Sequence, residues 1–230
     1  MRSPPILSPT IEEVQQALLR PLPGVAGQIK MAPQPRPGEA RRWDKPADCR
    51  EAGVLLLLYP HATNNGREPE LHLVLIRRPD YLGVHGGQIS FPGGQREGTE
   101  TLQVTALRET LEELGVLPDT VKVIGQLSPL YTPPSNFCIF PFVAYRAERP
   151  TFNPNPNEVA AILEPPLSHL LDPTARKEEL WHFPRFGERR IPFFDVFGYK
   201  VWGATAMMLS EFITLLATSM TGAKPSSIDD

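Results

Sequence analysis

The segment from Gly94 to Val116, GGQREGTETLQVTALRETLEELGV without its first glycine, reads as a helix that ends at Gly115 and carries Glu109, Glu112 and Glu113 in its last turns. Carboxylates near a helix C-terminus oppose the helix dipole and repel one another at i,i+3 and i,i+4 spacing, at a cost of roughly 0.3 kcal/mol or more each. A divalent cation reverses that penalty, because hard ions such as Mg2+ or Mn2+ take oxygen ligands from a few carboxylates, water and phosphates. At about 100° per residue, Val104, Leu107, Leu111 and Leu114 share one side of the helix and the three glutamates the other. The expected arrangement docks the apolar stripe on a core and turns all three carboxylates toward a cleft, with Thr105 and Ala106 beside them. Arg108 lies one turn before Glu112 and is placed to hold that carboxylate, leaving the others to a metal. A solvated acidic face is the plainer account of most charge runs; the residues upstream argue against it here.

Upstream runs GGQISFPGG, Gly86 to Gly94, in which Ile89 to Phe91 is extended before Pro92, Gly93 and Gly94 form a turn whose glycines let backbone approach a ligand. Gly94, Glu100 and the run Arg108, Glu109, Thr110, Leu111, Glu112, Glu113, Leu114, Gly115, Val116 together resemble the Nudix signature. Every fixed polar and glycine position is present, and Thr110 stands where the pattern asks for a bulky apolar residue. The resemblance implies an α/β fold, an α/β/α sandwich with a mixed sheet, and hydrolysis of a nucleoside diphosphate linked to another moiety. It assigns Glu109, Glu112 and Glu113 to Mg2+ or Mn2+, helped by the carbonyl of Gly94, and makes Arg108 an orienting arginine. Glu100 is better read as a dipole or arginine partner than as a ligand.

The preceding stretch, VLIRRPDYLGVHGGQISFPGG from Val74, is similar to the segment ahead of the Nudix box in coenzyme A pyrophosphatases. Val74 and Leu75 fill its apolar pair, Arg78 its first arginine, Gly87 its glycine and Phe91 to Gly94 its FPGG. Ile76, Pro79 and Gly83 depart from it, and Gly83 replaces a second arginine whose charge a glycine cannot supply. Arg78, His85, Gly87, Phe91 and Gly93 are therefore the candidate substrate contacts. The implied reaction cleaves coenzyme A to 3′,5′-ADP and 4′-phosphopantetheine. Similarity continues through YTPPSNFCIFPFVAY, NPNEVAAILEPPLSHLLDP and GYKVWGATAMMLSEF. Two rival readings stay open: a Nudix enzyme of ADP-ribose, NADH or dinucleoside polyphosphates, and a non-catalytic Nudix-fold binding or regulatory protein.

Other residues have plainer roles. Glu158 could sit in the cleft to activate water, although a structural loop acid is the default. Trp202 and Tyr199 could stack on an adenine, but core aromatics are the ordinary reading. Arg185, Arg189 and Arg190 form a small basic cluster, by default a solvated loop. Cys49 and Cys138 lack metal-ligand spacing and are expected as buried free thiols in a reducing cytosol, which with the absence of a targeting segment points to a cytoplasmic protein.

The chain has 230 residues, 41% hydrophobic and 21% charged, enough for a sizeable core. A net charge of −3 argues against a general nucleic-acid binder. The longest plainly apolar run, Val54 to Tyr59, is strand-sized, so no membrane association is expected. The expected partner is a small nucleotide substrate, with a homodimer allowed for. The division expected is an N-terminal helix and proline-rich arm over 1–42, a catalytic domain over 43–221 and a tail over 222–230. A capping box of Thr10 and Glu13 starts the first helix, which runs to about Leu19. Strands are expected at Gly53 to Tyr59, His72 to Arg77, Val121 to Leu127 and Phe137 to Tyr145, then irregular segments and a last helix from Thr205 to Met220.

Overall fold

The computed structural model describes residues 8–33, 46–62, 68–80, 86–183 and 187–221. Helix α1 (Ile11–Leu18) opens with the expected capping box, Thr10 and Glu13 bonding each other's backbone N–H. A short helix α2 (Val25–Gln28) follows. The chain then forms β1 (Arg50–His61), β2 (Glu70–Leu73), β3 (Leu75–Arg77), β4 (Ile89–Ser90), β5 (Gly93–Gln95) and helix α3 (Leu102–Leu114). After it come β6 (Lys122–Gln126), β7 (Leu130–Thr132), β8 (Phe137–Tyr145), β9 (Ala161–Leu163), α4 (Leu167–Leu171), β10 (Arg176–Phe183), β11 (Gly187–Val196), β12 (Tyr199–Trp202) and α5 (Gly203–Thr221).

The main sheet runs β2-β1-β8-β6, with β5 also on β1 and β7 also on β8. β1 and β8 are parallel and every other pair in it is antiparallel, so the sheet is mixed. Strand β1 shows why this is a sandwich. Its side chains alternate between two cores: Leu55, Leu57 and Tyr59 pack with Ala106, Leu114 and Val116 of the α3 side. Val54, Leu56 and Leu58 pack with Val14, Leu209 and Phe212 of the α1 and α5 side. A strand covered on both faces reads as a continuous apolar run, as this one does. Helix α5 is long and apolar enough to cross a membrane by length and composition, but most of it is buried in this core.

Three expectations are corrected. The α3 stripe of Val104, Leu107, Leu111 and Leu114 docks only in part: Leu114 is buried and Leu107 packs against the core, but Val104 is 48% exposed, while Thr105, Ala106, Thr110 and Glu113 are buried. The reason is the strand beneath. A Cβ built on Gly53 of β1 would lie 2.2 Å from the Leu102 carbonyl oxygen, so the helix rests almost on strand backbone and only small side chains fit between. Thr110 suits this contact, donating its hydroxyl to the Ala106 carbonyl at 2.6 Å. Second, Cys49 and Cys138 form a disulfide with Cα atoms 5.7 Å apart. The parallel register that sets Glu51 beside Cys138 brings together thiols 89 residues apart, and the argument from free thiols to a reducing compartment lapses. Third, the region before α5 is not irregular: β10, β11 and β12 form an antiparallel sheet.

Candidate active site

The site is built where β5 leaves the glycine turn and passes under α3. Helix α3 starts at Thr101, whose hydroxyl accepts the Val104 N–H at 3.3 Å, and ends at Gly115 in the left-handed conformation, φ 72°. On the strand side, the Leu55 N–H donates to the Pro92 carbonyl at 2.9 Å, so the turn is fastened to β1. Gly93 has φ 144°, and a Cβ there would meet the Gly53 carbonyl oxygen at 2.4 Å. A Cβ on Gly94 would fall 2.4 Å from the carboxyl carbon of Glu109. Gly93 needs glycine because strand backbone fills that space, whereas a side chain at Gly94 would displace the Glu109 carboxylate.

Glu113 lies deepest. It is 2% exposed and accepts the Gly93 N–H at 2.8 Å, with the Arg78 guanidinium 3.6 Å from its other oxygen. Burial pushes its carboxyl up to about 7, against the pull of the Gly93 bond and Arg78. Burial likewise raises Glu109, which Arg108 partly offsets. The negative charge of Glu158 raises both further. Its loop is tied down on two sides: Asn155 N–H donates to the Glu113 carbonyl at 3.0 Å and Ala160 N–H to the Arg77 carbonyl at 2.8 Å. The acid that sequence treats as an ordinary loop residue thus acts electrostatically on the cleft.

Arg108 organises the outer part of the cluster. It meets Glu100 through two bonds of 3.2 and 2.9 Å, and reaches Glu109 at 3.0 Å, Glu112 at 3.1 Å and the Gln95 carbonyl at 3.1 Å. The Arg108 bonds hold the Glu100 carboxyl down at about 2, in keeping with its reading as an arginine partner. Glu112 is half exposed and engaged by Arg108. Among the described residues no three acidic, histidine or cysteine side chains converge as a cation site. One Arg108 nitrogen, Nη1, bridges Glu109 and Glu112. Set deepest are buried Glu113 and half-buried Glu109, the latter against Gly94. Two carboxylates and a backbone carbonyl are a suitable protein share for Mg2+, which keeps its other positions for water and phosphate. Burial is the main cause of the upward shift of both acids, and a cation held between them would offset it, so the donor set fits such an ion.

The other candidates are distributed differently. Phe91 is a buried core residue, 1% exposed. Arg78 turns toward the Gly93 carbonyl, at 3.3 Å, as well as toward Glu113. Gly87 closes a loop through its N–H to the Pro79 carbonyl. His85, Gly83 and Arg185 lie outside the described residues. Arg190 pairs with Glu178 at 3.0 Å. Trp202 packs at 5.1 Å against Trp181, which with Phe183 makes an aromatic cluster on the β10 to β12 sheet, and Tyr199 is largely exposed. Gly53 is the site-forming residue that sequence analysis passed over. A lone glycine in an apolar strand is the signal that could have found it.

The NUDIX domain family model matches residues 51–184. Among curated relatives, the chain is 33% identical over 175 residues to chloroplastic Nudix hydrolase 22 of Arabidopsis thaliana, covering 73% of this chain and 55% of that protein. It is 33% identical over 190 residues to the uncharacterized Nudix hydrolase NudL of Pectobacterium atrosepticum, covering 80% of this chain and 88% of the relative. The solved Nudix hydrolase RenU of M. smegmatis matches 85% of this chain and 99% of its own, with a TM-score of 0.49 and 16% identity. Nudix hydrolases generally use divalent ions such as Mg2+ or Mn2+. With the signature laid across β5 and α3 and the family model spanning more than half of its length, this chain belongs to the Nudix hydrolase family.

Proposed function

We propose that the chain is a pyrophosphohydrolase that cleaves the diphosphate of a nucleoside diphosphate-linked substrate, with coenzyme A or its derivatives as that substrate and 3′,5′-ADP and 4′-phosphopantetheine as products. The observation that carries the chemistry is Glu113, a carboxylate 2% exposed, backed by Glu109 against Gly94. The similarity of Val74 to Gly94 to the coenzyme A pyrophosphatase segment supports the substrate.

Glu109 and Glu113, with the Gly94 carbonyl, would hold Mg2+ or Mn2+. When bound, such an ion neutralises phosphate charge and favours attack by water on phosphorus. Arg108 fixes Glu109 in direction, and Glu100 holds Arg108 in turn. Glu112, half exposed, shares Arg108 with Glu109 and would add its negative charge to the set that attracts the cation. Glu158 stands near enough to Glu109 and Glu113 to influence their protons, and its carboxylate is suited to orient the attacking water.

The test is incubation of the purified protein with Mg2+ or Mn2+ and a panel of coenzyme A, ADP-ribose, NADH and diadenosine polyphosphates, with products identified by mass. Release of 3′,5′-ADP mainly from coenzyme A is expected. Preference for another member of the panel would overturn the substrate and implicate Gly83. No turnover of any would overturn the enzymatic reading in favour of a binding role.

A further inference from the structure

We infer that Arg78 is a positioning residue of the carboxylate site, bracing Glu113 and the glycine turn against each other, and is not a substrate contact. The inference rests on the proposed reading of that site. Arg78 directly follows β3, and its backbone is fixed on both sides: its own N–H donates to the Gln88 carbonyl at 3.0 Å, and the Arg77 carbonyl accepts the Ala160 N–H at 2.8 Å. From there the side chain reaches inward. Nη2 donates to the Gly93 carbonyl at 3.3 Å and stands 3.6 Å from Glu113 Oε1.

These contacts close a triangle. Gly93 N–H holds Glu113 Oε2 at 2.8 Å, Arg78 attends Oε1, and the same Arg78 nitrogen holds the Gly93 carbonyl. Each oxygen of the buried carboxylate is thus assigned to a different partner, which fixes its rotation, and the peptide leading into Gly94 is held at its carbonyl. A single nitrogen, Nη2, with its two N–H groups, serves the carbonyl and the carboxylate together, a task that a lysine ammonium on a more flexible stem can take over only in part. Its cost is electrostatic. A cation beside Glu113 opposes any second cation, so as a charge alone Arg78 would weaken metal binding; only as a brace would it strengthen it.

That opposition makes the experiment decisive. Mn2+ alone is titrated into the wild type, Arg78→Ala and Arg78→Lys, with free Mn2+ read by electron paramagnetic resonance; kcat and KM for coenzyme A are then measured. Loss of a residue that orients a metal ligand weakens metal affinity about 10- to 100-fold. For Arg78→Ala the expected result is a loss of about that size in Mn2+ affinity, a fall in kcat, an unchanged KM and partial rescue in Arg78→Lys. Unchanged or tighter Mn2+ binding overturns the inference, and a raised KM alongside it returns Arg78 to the substrate. Should Arg78→Ala fail to fold, Arg78→Lys decides by the same criteria. If the wild type turns over nothing, the functional reading fails while the Mn2+ titration still decides the role of Arg78.

Discussion

Glu113 and Glu211 are both buried glutamates on helices, 2% and 0% exposed, and the protein treats them oppositely. Glu211 of α5 is saturated with donors: one oxygen accepts the Gly24 and Ser128 N–H groups at 3.1 and 3.2 Å, and the other the Gln28 amide at 2.9 Å. It joins α2, α5 and the segment after β6. Glu113 has one N–H bond and a cation at 3.6 Å. A buried anion with a full set of donors is architecture. One with fewer donors retains acceptor capacity for something that arrives, and burial, only partly offset by the Gly93 bond and Arg78, pushes its carboxyl up to about 7.

The comparison can be broken most forcefully at Glu113. Glu113→Gln should lower turnover about 1,000-fold or more, equivalent to about 4 kcal/mol on the barrier, while thermal unfolding without metal stays level or improves, since a neutral amide replaces an undersupplied anion. Steady-state kinetics and calorimetry check the two halves. Glu211→Ala should do the reverse, costing about 3 kcal/mol because three donors lose their acceptor inside the protein, with turnover per folded molecule retained at low temperature. Cys138→Ser belongs with the structural side and should cost about 2–3 kcal/mol in urea unfolding by freeing a long loop in the unfolded chain. A loss of Mn2+ affinity in that variant would blur the distinction.

The smallest expected effect concerns a third acid, Glu164, which lies between these cases. Burial alone would raise its carboxyl, but bonds from Arg149 at 2.6 and 2.7 Å and from Tyr59 at 2.6 Å bring it below its usual value of 4.5. A lowered folded value means that its contribution is present above about 4.5 and is lost as pH falls through the folded value. Since the arginine is well exposed, the pair is worth under about 1 kcal/mol. Glu164→Gln should therefore flatten the loss of stability on acidification by that modest amount, measured by urea unfolding between neutral and acid pH.

What could be read from sequence was what is local. The Thr10 and Glu13 capping box, the Gly115 stop and the Arg108 to Glu112 pair lie within a few residues of one another, and each stands as expected. The buried side of α3 was misread because periodicity gives a helix's faces but not the distance to its neighbour; Gly53 brings the strand so close that Thr105, Ala106 and Thr110 are favoured over valine and leucine. The β10 to β12 sheet escaped because β10 is charged or exposed along nearly its whole length, so it lacks the alternation by which strands are recognised. The Cys49 to Cys138 bridge and the donors to Glu211 depend on partners 83 to 187 residues away, which no local pattern encodes.

Whether Glu113 is kept undersupplied for an incoming cation is decided by thermal unfolding of the wild type, Glu113→Gln and Glu211→Gln with and without Mn2+. A ligand bound only by the folded state raises its stability by an amount that grows with the logarithm of ligand concentration over Kd. The account predicts that Mn2+ raises the Tm of the wild type and of Glu211→Gln, the latter from a lower starting point, and leaves Glu113→Gln unmoved. An equal Mn2+ shift in Glu113→Gln would contradict it.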